Sequence, residues 1–124
     1  MTLDLTDVPS ALRVAAEAAL RAAGVGDGHL SVELVSEDRI QELNLEHRAL
    51  DEPTDVLSFP IDQDREVAGP RELGDVVICP AHTRDVTEAT VHGVLHLCGH
   101  DHESDSGEML QLQARVMNEL TARS

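Results

Sequence analysis

A chain of 124 residues, 41% of them hydrophobic, is long enough for one core, too short for two domains and too apolar for disorder. No apolar run reaches the roughly 18 to 20 residues that span a bilayer. The opening Met1-Thr2-Leu3-Asp4-Leu5 lacks a basic region followed by an apolar stretch, so a cytoplasmic setting with no membrane partner is expected. The net charge of −15 repels nucleic acid at long range, since affinity for it is built on phosphate neutralisation. Only a metal ion and a few arginines gathered in one cleft would reverse that sign locally.

Met1 to Thr6 alternates apolar and polar residues and predicts a short strand. Asp7-Val8-Pro9-Ser10 opens a helix, with Leu12, Ala16, Ala19, Leu20 and Ala23 on one face and Gly24 at its end. Gly24, Gly26 and Gly28 follow a helix and precede a strand, the reverse of a nucleotide-binding fingerprint, so they predict a turn. His29 to Val35 reads as a strand, and Ser36 as the N-cap of a helix running to about His47. Asp51-Glu52-Pro53-Thr54 is a turn, Asp55 to Phe59 a short strand stopped by Pro60, and Asp62 to Arg71 a polar loop. Leu73 to Cys79 carries Val76-Val77-Ile78, the mark of a central strand. A helix is expected from about Thr83 to Cys98, ended by Gly99. An amphipathic one is expected from about Ser104 to Leu120, with Met109, Leu112, Val116 and Leu120 inward. The pattern predicts a single α/β (α+β) domain over residues 1–124, with a mixed sheet of about four strands and helices packed on it.

Cys79 and Cys98 both sit in apolar runs and are expected as reduced, buried thiols rather than a disulfide framework. Phe59 is the one aromatic among Phe, Trp and Tyr, too few for the stacking platforms of single-strand binders.

Chemistry concentrates between His92 and His102, which holds four of the seven histidines. His92 and His96, four apart, stack on one helical face and can share a metal ion. Gly99 can take the left-handed conformation that ends the helix and lets the chain return His102 as a third ligand. Three protein ligands leave a position for water, the arrangement of a catalytic zinc site rather than a structural one. Such a metal lowers the pKa of water toward neutrality. His100 is an alternative third ligand in place of His102, but is expected rather behind the ligands or in the pocket wall. Cys98, about 200° around the helix from His96 by the 3.6-residue period, is expected in the core.

The same spacing is that of metzincin peptidases, His-x-x-x-His-x-x-Gly-x-x-His. Those enzymes place a glutamate directly after the first histidine as general base. Here that residue is Gly93, so a zinc metallopeptidase ranks second.

The chain resembles the bacterial YbeY endoribonucleases, also called rRNA maturation factors. Three segments carry the resemblance: Leu43-Asn44-Leu45-Glu46-His47-Arg48 with Asp51-Glu52-Pro53-Thr54-Asp55-Val56-Leu57-Ser58-Phe59-Pro60; Leu73-Gly74-Asp75-Val76-Val77-Ile78-Cys79; and His92 to His102. The resemblance implies a metal-dependent, single-strand-specific endoribonuclease acting in ribosomal RNA processing, notably 3′-end maturation of small-subunit (16S) RNA, and in ribosome quality control. It implies zinc, with His92, His96 and His102 as ligands and Arg48 as the functional arginine. The small ribosomal subunit or its assembly factors are the implied partners. An arginine suits a scissile phosphate, since its planar fork gives two charge-assisted hydrogen bonds.

This chain differs from the family in having histidine at positions 47 and 100, where tyrosine is frequent. It has twelve residues, Pro80 to Val91, between Cys79 and His92, a shorter stretch than is usual there. A third reading is a non-catalytic ribosome-assembly factor braced by its metal.

The remaining polar residues of these segments have structural expectations. Thr54 and Asp55 close a turn, and Ser58 faces the cleft without a histidine base to make it a nucleophile. Asp75 is expected either to orient a ligand histidine or to pair at the start of its strand. Asp101 and Glu103 flank His102, where they could take a proton from the metal's water.

Overall fold

The apolar alternation of the sequence resolves into four strands and four helices among the described residues of a computed structural model, which are 3–61, 72–100 and 105–122. In chain order they are β1 (Leu3–Asp4), α1 (Arg13–Ala22), β2 (Gly28–Leu34), α2 (Glu37–Arg48), β3 (Val56–Pro60), β4 (Glu72–Ile78), α3 (Val86–Leu97) and α4 (Glu108–Ala122). Short 3-10 turns at Ser10–Leu12 and Pro80–His82 lead into α1 and precede α3. The sheet runs β1-β2-β4-β3, parallel across its first three strands and antiparallel at β3.

β4 is central, and its continuous Val76-Val77-Ile78 run has a physical cause. Val76 and Ile78 enter the larger core with Leu30 and Val32 of β2 and the inward faces of α1, α3 and α4. Val77 and Cys79 enter a smaller cluster with Leu57 of β3 and Ile40 of α2. A strand covered on both faces has no polar side to alternate with. Each such aliphatic side chain, fully buried, stabilises the fold by about 1.5–3 kcal/mol.

β3 closes the sheet on one side, and Pro60 belongs to it rather than stopping it. An edge strand tolerates the missing N–H. Residues at the end of α2, along β3 and in the C-terminal part of α3 line one cleft beside this strand.

The helix ends also follow from the sequence. Ser36 Oγ accepts the Arg39 N–H at 3.2 Å, with Glu37 and Asp38 in the first turn of α2. The helix stops at Ala49, which takes the left-handed conformation at φ +58°, and Leu50 N–H donates back to the Asn44 carbonyl at 3.3 Å.

Two helix starts differ from expectation. α3 begins at Val86 rather than Thr83, because Pro80–His82 forms a separate turn and Asp85 caps the helix, accepting from Thr87 and Glu88 N–H at 3.0 and 3.2 Å. α4 begins at Glu108 rather than Ser104, since Asp105 takes the N–H groups of Gly107 and Met109 at 2.8 and 2.9 Å. The polar loop expected over 62–71 lies outside the described residues. Among the described residues no helix is long and apolar enough to cross a membrane.

Candidate functional site

An open cleft of about 970 Å³ lies along the β3 edge. The last turn of α2 supplies His47 and Arg48 to it, β3 and the residues before it supply Thr54 to Pro60, and the C-terminal part of α3 supplies His92, His96, Gly99 and His100. Arg48 and the two helical histidines, far apart in sequence, thus line one space.

The His92 and His96 rings lie with centroids 4.8 Å apart and planes at 74°. The four-residue spacing thus brings the two imidazoles edge to face on one side of α3. Gly99 ends the helix at φ +95°, as the spacing of the motif requires, and His100 N–H donates to the Leu95 carbonyl at 3.1 Å. His102, expected as the third ligand, and Asp101 and Glu103 lie outside the described residues. Among the described residues no three histidine, cysteine, aspartate or glutamate side chains converge on one point. Among the described residues α3 thus supplies two imidazoles, His92 and His96, to one wall of the cleft.

His92 is gripped from behind. Its Nδ1 lies 2.7 Å from Gln113 Oε1 of α4. A second hollow of about 440 Å³, bordered by Gln113, Arg84 and Glu88, shares Asp55, Val56 and His92 with the main cleft, so the His92 ring stands in the wall between the two. Asp75, one candidate for orienting a ligand histidine, instead accepts a hydrogen bond from the Ser31 hydroxyl of the neighbouring strand. The second expectation for Asp75, pairing on its strand, is the one the structure bears out.

Gly93 faces the sheet. A Cβ there would lie 2.5 Å from Val76 Cγ1 and 3.2 Å from Ser58 Oγ. Position 93 thus has no room for the glutamate that a metzincin needs and does not line the cleft among the described residues. Ser58 donates its hydroxyl proton to the Gly93 carbonyl at 3.1 Å, which fixes α3 to β3 and gives the serine a structural task.

The described lining of the cleft holds one arginine, Arg48, to one carboxylate, Asp55, and so lacks the acidic excess of the chain. Of 24 acidic residues, Asp55 alone among the described residues lines the main cleft. Its carboxylate is occupied locally by Val56 N–H at 2.9 Å and the Thr54 hydroxyl at 3.3 Å. Arg48 is exposed and makes no ion pair among the described residues. Phe59, counted as too little aromatic surface from composition, sits in the cleft wall with His47, ring centroids 4.7 Å apart. Cys79 is buried, as expected; Cys98, also expected buried, packs on the larger core but is only partly buried.

The family model described as Endoribonuclease YbeY matches residues 3–121. An Endoribonuclease YbeY of Thermotoga maritima is 37% identical over 111 residues, spanning 77% of this chain and 70% of that protein. That of Rubrobacter xylanophilus is 45% identical over 101 residues with the same two shares. That of Carboxydothermus hydrogenoformans is 42% identical over 109 residues, spanning 75% of this chain and 73% of that protein. Among solved structures, the solution structure of TM1509 from Thermotoga maritima superposes with a TM-score of 0.54 at 31% identity, covering 92% of this chain and 86% of that one. With a family model spanning nearly the whole chain and relatives at this identity, the chain belongs to the YbeY endoribonuclease family.

Proposed function

We propose that the protein is a metal-dependent endoribonuclease that cuts single-stranded RNA during ribosomal RNA maturation. In this reading zinc is held by His92, His96 and His102, and Arg48 meets the scissile phosphate. The observation that carries it is the shared cleft: paired imidazoles from α3 and an arginine from α2 line one opening, from which acidic side chains are nearly absent among the described residues.

A bound zinc ion supplies Lewis acidity toward a phosphoryl oxygen and toward water. The chain's own residues do the rest. Arg48 binds the phosphate through its fork and offsets negative charge that grows as the phosphorus becomes five-coordinate. Phe59 and His47 offer a ring surface to a base, which must be unstacked to reach it, and this favours single strands over duplex. His100, on the same wall, has a ring that can donate or accept at the cleft. The proposed setting is the cytoplasm, with the small ribosomal subunit or its assembly factors as partners.

The deciding experiment measures metal content by mass spectrometry together with cleavage of a single-stranded RNA, with and without chelator, for wild type and His96→Ala. One metal per chain and chelator-sensitive cleavage, both lost in the variant, is the expected result. Metal without cleavage would move the protein to the metal-braced assembly factor, and absence of metal would overturn the site. A cyclic phosphate on the product would identify the RNA 2′-hydroxyl as nucleophile; its absence would identify water.

A further inference from the structure

Met109, Gln113 and Val116 are spaced by four and three residues, so they share one face of α4. Met109 and Val116 are fully buried in the larger core. Gln113 is thus a polar residue placed in an apolar stripe, where a leucine would pack. Its amide is directed at His92: Oε1 lies 2.7 Å from His92 Nδ1.

The chemistry of this contact is one-sided. With its amide oxygen turned to the ring, Gln113 accepts, and the tautomer that fits carries the proton on Nδ1. A neutral imidazole protonated at Nδ1 holds its lone pair on Nε2. Gln113 therefore selects one tautomer of His92 and fixes the rotation of the ring. The Gln113 side lies in the second hollow, while the ring also borders the main cleft. Histidines that ligate metals characteristically give their other N–H to such an acceptor. The acceptor here is neutral. In a chain of net charge −15, a carboxylate in that position would add negative charge behind a site that has to receive a phosphate.

We infer that Gln113 is the positioning residue for His92: its side-chain carbonyl locks the ring with Nε2 presented toward the cleft, so that α4 controls the affinity of a metal bound by α3. The inference rests on the metal reading of the cleft, and its test separates the two.

The test is cobalt(II) and zinc binding by chelator competition, with the cobalt absorption spectrum, for wild type, Gln113→Leu and Gln113→Glu. Melting of all three is followed in excess chelator. Gln113→Leu keeps the bulk and fits the apolar stripe, so its metal-free melting temperature should equal or exceed that of wild type. Its metal affinity should fall about 10- to 100-fold, the range found when such supporting partners are removed. Gln113→Glu keeps an acceptor and should restore the affinity and the cobalt spectrum. Equal affinity and spectrum in wild type and Gln113→Leu would overturn the positioning role while leaving the metal site standing. Folded wild type that binds neither ion would overturn both. A Gln113→Glu variant as weak as Gln113→Leu would also overturn it, because the acceptor would then not be what matters.

Discussion

Gly93 rests directly on Val76, so close that a Cβ on the glycine would come within 2.5 Å of Val76 Cγ1. The contact seats α3 low on β4 and holds the His92 and His96 pair at the β3 edge. Helix preference alone favours alanine over glycine at an interior position by about 1 kcal/mol. Overpacking against a strand held on both faces costs about 1–3 kcal/mol. Gly93→Ala is therefore expected to destabilise despite its better helix propensity, and to weaken metal binding by lifting the helix. Chemical denaturation measures the first effect and chelator competition the second. A more stable Gly93→Ala would show that the helix does not need this close approach.

Arg48 is exposed and free of ion pairs among the described residues, so removing it should cost little stability. Loss of one preorganised donor to a charged transition state typically lowers turnover by about 10²–10³-fold. Arg48→Ala should show such a loss in RNA cleavage with unchanged metal content and melting temperature. Arg48→Lys should recover only part, since a point charge does not replace a two-pronged fork. Full activity in Arg48→Ala would remove the arginine from the mechanism.

Much of this architecture was legible in the sequence because it rests on local or periodic signals. The four-residue spacing that sets His92 beside His96, the helix-ending Gly99, the Ser36 cap and the doubly buried Val76-Val77-Ile78 run are all local signals, and each is present. What could not be read depended on tertiary neighbours. Gln113 is seventeen residues or more beyond the histidine pair, on another helix. A polar residue in the apolar stripe of α4 was its one signal. Phe59 counted as an isolated aromatic until β3 proved to be the edge strand beside α2, which brings His47 against it. Asp75 was ambiguous from sequence because its partner, Ser31, lies on a strand paired across 44 positions of chain. The start of α3 was misplaced by three residues although Asp85 with Glu88 has the spacing of a capping box. The Pro80-Ala81-His82 turn before it obscured that signal.

Ala49 is the one described non-glycine residue with positive φ, and it terminates α2 directly after Arg48. The left-handed conformation costs a residue with a Cβ roughly 1–2 kcal/mol. Glycine relieves that cost but adds about 0.4–1 kcal/mol of unfolded-state entropy. Ala49→Gly should therefore raise the unfolding free energy slightly, by about 1 kcal/mol or less, in a denaturant titration. A clear destabilisation would mean that the alanine methyl makes contacts worth more than the backbone relief.

His29 on β2 ties the segment after β1 to two strands of the sheet. Its Nε2 lies 2.7 Å from Asp7 Oδ2, in the segment after β1, and its Nδ1 lies 2.8 Å from Glu72 Oε2 on β4, its register partner. Two carboxylates, acceptors when ionised, require both ring nitrogens to carry protons, so the imidazolium is the form that fits. The hydrogen bond to Glu72, followed by that to Asp7, raises its pKa from 6.5 to about 9. The folded value exceeds the unfolded one, so this stabilisation is complete below about pH 6.5 and is lost as pH rises through about 9. Because both carboxylates face solvent, the effect should be modest and should shrink with added salt. The measurement is the difference in unfolding free energy between wild type and His29→Gln from neutral to mildly alkaline pH. Subtracting the variant removes every other titrating group from the comparison. The gap should be widest at the acidic end of that range and should close toward its alkaline end. Two curves that stay parallel across the range would mean that the His29 charge does not hold the segment after β1 to β2 and β4.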